Sequence, residues 1–279
     1  MLKSRIILIV IAIVLIAVVF TLPKVVVDNE NESIEKGGES VDNTASSEEG
    51  SPSSANGLMK DSHSGNIPKE VKEDIERLRN SYKLAKNQEN SVIFADSLAS
   101  VFRDLNRLDS AAKYVELSQE DNELIGNAYY EAFSFAADVN KAKRLAIKTR
   151  EYLQKVLDED PSNNSAKIKL AMTYVSSDNP MKGISMLLEV VEENPDNEEA
   201  LFNLGILSIQ SGQYSKAIER FEKLLRQHPE NIQAEFYLAL SLMNNGRKEE
   251  ARKLFVEIKN KSNDEQLLAA VESYLNELQ

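Results

Sequence analysis

Apolar positions change their rhythm twice along the chain. From Ile6 to Pro23 the sequence IILIVIAIVLIAVVFTLP carries no charge. About 17 apolar residues at a rise of 1.5 Å each cover roughly 25 Å, the short end of a membrane-spanning helix. From Lys24 to Ile67 apolar residues thin out and Ser, Gly, Asn and Glu take over. From Pro68 they return at steps of three and four. Val71, Ile75, Leu78, Tyr82 and Ala85 mark one apolar face of a helix, and Pro68 followed by acids suits a helix start. No alternating strand pattern follows as far as Gln279, so the expected fold class is all-α.

The flanks refine the first two segments. Lys3 and Arg5 precede the apolar run, which places the N-terminus in the cytoplasm and the remainder across the membrane. A cleaved signal peptide needs small residues after its apolar core, whereas this core ends AVVFTLPKVVV. Residues 1–23 therefore read as an uncleaved anchor. The segment 24–67 holds nine acidic and three basic residues and no aromatic one. It reads as an acidic tether with a reach of roughly 35–40 Å. DNENES, Asp28 to Ser33, lacks the Gly and the distal Glu of a calcium loop.

Beyond Pro68 a longer period emerges. Pro161, Pro195 and Pro229 are each 34 residues apart. So are Ala171, Gly205 and Ala239, then Gly183, Ala217 and Ala251, then Leu187, Phe221 and Phe255, and also Leu170, Leu204 and Leu238. Gly212 and Gly246 keep the same step. A fixed period of this length marks a repeat architecture. Its physics suits a helix–turn–helix unit. Two small residues twelve positions apart let the paired helices approach closely. Gly212 takes the left-handed turn between them, and Pro229 stops the second helix. No unit buries its apolar face alone, so the units must stack.

The segment EEALFNLGILSIQSGQYSKAIERFEKLLRQHPEN, Glu198 to Asn231, resembles a tetratricopeptide repeat. It carries the Leu-Gly pair at Leu204 and Gly205, the Gly-x-Tyr at Gly212 and Tyr214, then Ala217, Phe221 and Pro229. The usual Trp is Leu201 here, and the first Tyr is Ser208. Residues 164–197 and 232–263 match in register, the former keeping the Tyr as Tyr174. Residues 92–120 match more loosely through Ala99, Phe102 and Ala111. In 121–163 the phase stays open, with Gly126 or Phe133 in the small-residue slot. The resemblance implies a solenoid over 68–263, closed by a capping helix over 264–279. The whole layout resembles bacterial envelope proteins with one anchor, a tether and a periplasmic repeat domain.

The resemblance also implies a concave groove lined by the first helix of each unit. Its lining would include Ile168 and Met172, then Phe202, Ile206 and Ile209, then Phe236, Leu240 and Met243. Asn203, Tyr237 and Asn244 add polar points. Such an apolar groove suits a hydrophobic peptide or an amphipathic helix. The family's clamp for C-terminal carboxylates uses Lys, Arg and Asn at such positions, and only Asn203 matches. Burial of the same side chains against neighbouring helices, or against a second copy, is the alternative.

Composition narrows the function classes. The 279 residues contain no Cys, which removes disulfides, thiol catalysis and thiolate metal sites. A formal net charge of -12 without a basic stripe argues against nucleic acid. No phosphate-binding loop motif is present. His63 and His228 have no ligand partner at helical spacing, so no metal and no cofactor is expected. The expected role is a membrane-tethered, non-catalytic scaffold for a protein partner. The alternatives are an accessory that positions an enzyme of cell-wall, secretion or cytochrome maturation machinery, and a homo-oligomer.

Overall fold

The structure, a computed structural model, describes residues 67–278. The expected anchor and the tether, Ile67 excepted, lie outside the described residues. Among the described residues the chain forms twelve helices and no strand. Helix α1 (Lys69–Leu84) leads five helix pairs. These are α2 (Gln88–Asp104) with α3 (Leu108–Ser118), α4 (Asn122–Ser134) with α5 (Val139–Glu159), and α6 (Asn164–Val175) with α7 (Pro180–Glu193). Then come α8 (Glu198–Gln210) with α9 (Tyr214–Gln227), and α10 (Ile232–Asn244) with α11 (Lys248–Lys261). Helix α12 (Glu265–Glu277) closes the stack. Each helix packs on the one before and the one after it, which is the one-dimensional connectivity of a solenoid.

The periodic Pro-x-Asn explains where first helices begin. Asn163, Asn197 and Asn231 cap α6, α8 and α10. Their side-chain oxygens accept hydrogen bonds from the N–H groups of Ala166, Ala200 and Ala234 at 2.9, 2.9 and 2.8 Å. Each cap satisfies a donor that the first turn leaves orphaned. The proline two residues earlier falls just beyond the preceding helix, which it cannot extend.

The turn inside each pair has its own chemistry. Gly212 and Gly246 adopt φ of +72° and +82°, and Asn106 takes the equivalent place with φ of +56°. The next N–H then reaches back to the helix. Gln213 donates to Ser208, Arg247 to Leu242 and Arg107 to Phe102, at 2.8, 2.9 and 2.8 Å. This closure satisfies carbonyls at the helix end and needs a residue that tolerates left-handed backbone. The α6–α7 turn has no such residue, and α7 instead starts at Pro180.

Small residues set the spacing within pairs. Ala171, Ala217, Ala239 and Ala251 are fully buried. Leu187, Phe221 and Phe255 are fully buried beside them at the 34-residue step. A Cβ on Gly205 would stand 2.5 Å from Phe221 Cζ, so the ring occupies the space glycine leaves. The α4–α5 pair departs from the period. First-helix starts advance 42 residues from Asn122 to Asn164, against 34 from Glu198 to Ile232. Most of the excess lies in α5, a 21-residue helix where the later second helices have 14. Gly126 takes the small-residue contact, since its Cβ would lie 2.5 Å from Leu153 Cδ2. Phe133 stays half-buried in the adjoining cluster.

Helix α12 covers the C-terminal end. Tyr274 stacks on Phe255 at 5.4 Å between ring centroids, and Val271 is fully buried. Among the described residues no helix is long and apolar enough to cross a membrane.

Candidate functional site

The first helices place the expected groove residues at three depths. Met172, Phe202, Asn203, Ile206, Ile209 and Met243 are half-buried, and Asn244 is exposed. Ile168, Phe236, Tyr237 and Leu240 are buried, at 1 %, 6 %, 7 % and 8 % exposure. That corrects the expectation that these four line an open surface. Ile168 packs with Ala171, Leu187, Val190, Ala200 and Leu204, in a core shared by α6, α7 and α8. Phe236 lies between Phe255 and Tyr274, each 5.9 Å away, because α12 folds over α11. Tyr237 is held by Phe202, Phe221 and Phe236 at 5.6 to 5.9 Å.

These contacts form a continuous aromatic ladder. It runs Phe202, Phe221, Tyr237, Phe236, Phe255 and Tyr274 through the last two helix pairs and the capping helix. Edge-to-face and stacked pairs at these separations each add about 0.5–1.5 kcal/mol beyond burial. Phe202, like Tyr274 at the other end, is a rung that also reaches solvent. Together with Asn197, Glu198, Glu199, Asn231 and Gln233 it lines an open depression of about 440 Å³.

The electrostatics around that depression involve residues the sequence pattern did not single out. Neighbouring protein atoms desolvate the Glu199 carboxyl and push it up, although the residue as a whole is exposed, against the opposing charge of Lys169. Burial and the Glu199 charge push the Tyr130 phenol up to about 12. Lys169 donates to Asn127 Oδ1 at 2.7 Å. Glu198 accepts from Asn231 Nδ2 at 2.8 Å, tying one cap to the unit before it. His228 Nδ1 stands 3.6 Å from Glu198 Oε2. The recurring first-turn acids and Pro-x-Asn caps could have flagged Glu198 and Asn231. Nothing local flags Asn127 or Tyr130.

A second polar cluster joins three helices. Glu116 on α3 accepts from Tyr152 at 2.6 Å, from Lys148 at 2.8 Å, and from Tyr129. Burial would raise the Glu116 carboxyl, but these hydrogen bonds and the Lys148 charge outweigh it, and the net shift is downward. A lowered folded-state value contributes stability above the ordinary carboxylate range, and loses it as pH falls through the folded value. Glu116→Ala should therefore cost about 2 kcal/mol at neutral pH. The gap from wild type should shrink below about pH 4, in urea titrations monitored by circular dichroism. A gap independent of pH would refute this role.

Among the described residues no group of His, Asp and Glu is placed to hold a metal ion.

Residues 176–255 match the family described as surface lipoprotein assembly modifier, N-terminal TPR repeats. PilW, a widely conserved type IV pilus biogenesis factor, superposes with a TM-score of 0.51. It is 15 % identical, over 72 % of this chain and 90 % of that one. The fold of the chain is that of a tetratricopeptide-repeat-like helical solenoid. A thermophilic TPR protein of Thermus thermophilus, TTC0263, is 18 % identical over 68 % of this chain and 99 % of its own, with a TM-score of 0.48. MamA is 20 % identical over 62 % and 92 %, with a TM-score of 0.44. No curated protein gives a significant match. The family match falls on the segment from the α6–α7 turn to Phe255 on α11, which includes Phe202 and its depression.

Proposed function

We propose that this chain is a non-catalytic scaffold that holds a segment of a partner protein against the first helices of its C-terminal units, as part of a cell-envelope assembly. The observation that carries the reading is the half-buried row Phe202, Ile206 and Ile209 on α8, which adjoins the open depression at Phe202. Half-buried apolar side chains at a concavity gain contact area from a ligand without refolding the host. Met172 and Met243 flank the row on α6 and α10 and supply adaptable surface. The envelope setting is supported by the description of the matched family, which concerns surface lipoprotein assembly, and by the apolar run from Ile6 to Pro23.

A photo-crosslinking residue in place of Phe202, and separately of Ile209, tests the reading in the full-length chain in its own cells. Glu219, exposed on α9, serves as the control position. The expected result is one foreign adduct shared by the two groove positions and missing at Glu219. An adduct of twice the chain's mass would convert the row into an interface between copies. No adduct at either position, with adducts at Glu219, would refute groove binding.

A further inference from the structure

Stacked helix pairs give this solenoid two edges, one made of the turns within pairs and one of the turns between them. Their charges differ. The between-pair turns, residues 83–89, 118–123, 157–164, 191–199, 226–233 and 260–266, hold fifteen acidic and four basic residues. The within-pair turns, residues 103–109, 135–144, 175–184, 210–217 and 244–250, hold six acidic and nine basic residues. One edge is thus strongly negative and the other mildly positive, although the chain as a whole is acidic. Acids at helix starts explain part of the first edge. Second helices start at the other edge, and acids do not dominate there.

The lengthened helix α5 concentrates the difference. Its outer stripe runs Val139, Lys143 and Ile147 at four-residue steps, with Phe135 just before the helix and Arg144 beside Lys143. Val139 is 68 % exposed and Ile147 62 %. Lys143 and Arg144 make no ion pair or hydrogen bond among the described residues, whereas Lys141 is bound to Asp109 at 2.6 Å and Lys148 to Glu116. Met181, in the next within-pair turn, is 65 % exposed. Leu117 and Leu124 are exposed at the opposite edge, but they flank Glu120, Asp121 and Glu123.

We infer that the within-pair edge around α5 rests on an anionic lipid surface. Lys143 and Arg144 would meet headgroup phosphates, and Val139, Ile147 and Phe135 would enter the interfacial layer. Apolar side chains interleaved with unpaired cations are what an interfacial helix presents to lipid. An acidic peptide would match the cations and leave the apolar stripe in water, so lipid accounts for more of the surface. The same charge difference orients the solenoid, because the acidic edge is repelled by anionic headgroups and turns away. The apolar run Ile6 to Pro23, expected to be an anchor, would supply proximity to lipid. The inference stands apart from partner binding at Phe202.

The chain has no cysteine, so one introduced thiol labels one site. The full-length chain carries an environment-sensitive dye at Val139→Cys or, separately, at Glu230→Cys on the acidic edge. It is reconstituted in phosphatidylcholine vesicles with or without about one-third phosphatidylglycerol. Lipid-borne bromine should quench the dye at 139 in the anionic vesicles and leave the dye at 230 unaffected. Lys143→Glu with Arg144→Glu should weaken that contact roughly tenfold or more. Both positions are exposed, so helicity serves as the check that the double variant folds. Equal quenching at the two sites overturns the inference, as does failure of the chain to float with anionic vesicles. A dye at 139 that is shielded equally in neutral vesicles and in detergent overturns it too, since another part of the chain or another copy would then cover the stripe.

Discussion

Phe221→Ala should cost this protein about 3–5 kcal/mol, the range for emptying a fully buried aromatic site. Phe221 is 0 % exposed and contacts both Phe202 and Tyr237 of the ladder. Its ring also fills the space left by Gly205, so truncation opens a void between α8 and α9. The loss should appear in urea titration as an early transition of the last two pairs and the capping helix, because stability in a stacked array is local. Leu188→Ala on the outer face of α7, at a site 46 % exposed, should change stability by no more than about 0.5 kcal/mol. If Phe221→Ala costs no more than Leu188→Ala, the ladder does not hold the C-terminal units together.

The ladder also shows what was legible in the sequence. The solenoid could be read because its period is steric. Each helix pair needs a small residue at the crossing, a second small one twelve positions on and a large one sixteen positions on, and these recur wherever the units are alike. Gly205, Ala217 and Phe221 are such a set, and the chain displays them on one line. In α4–α5 the same contact is made by Gly126 and Leu153, 27 residues apart, because α5 is longer. A longer helix preserves the packing and erases the spacing, so no period revealed the phase.

Depth along the first helices was harder to read for a different reason. Periodicity tells which residues share a helix face, but the angle between successive helices decides whether that face is open. Phe202 and Phe236 occupy equivalent places 34 residues apart. One adjoins an open depression, and the other is buried because α12 lies over it. The Glu116 cluster was invisible for a third reason. Its partners lie 13, 32 and 36 residues away, and none of those separations is a helical or repeat spacing.

Gly183→Val should destabilise the fold by about 3 kcal/mol or more, the upper range for overpacking a tight contact. A Cβ at Gly183 would fall 2.3 Å from the Ala171 carbonyl oxygen and 2.7 Å from Val175 N. Both are backbone atoms of α6, so relief requires moving one helix relative to the other. The equivalent places in the next two units hold Ala217 and Ala251, which are fully buried without such conflict. Helices α6 and α7 are therefore closer than the later pairs. Gly183→Ala separates the competing effects. Alanine gains about 1 kcal/mol of helix propensity over glycine, yet the backbone contact should outweigh it and leave a net loss. Because α7 lies between α6 and α8, the same shift should alter the spacing from Met172 to Phe202. A folded Gly183→Ala protein should then crosslink its partner less well from Phe202, while the lipid contact at Val139 persists. Thermal and urea unfolding of both variants decide the stability question. A Gly183→Ala protein as stable as wild type would mean that α7 moves outward at no cost, and that the close approach of α6 and α7 is not what fixes the geometry of the groove.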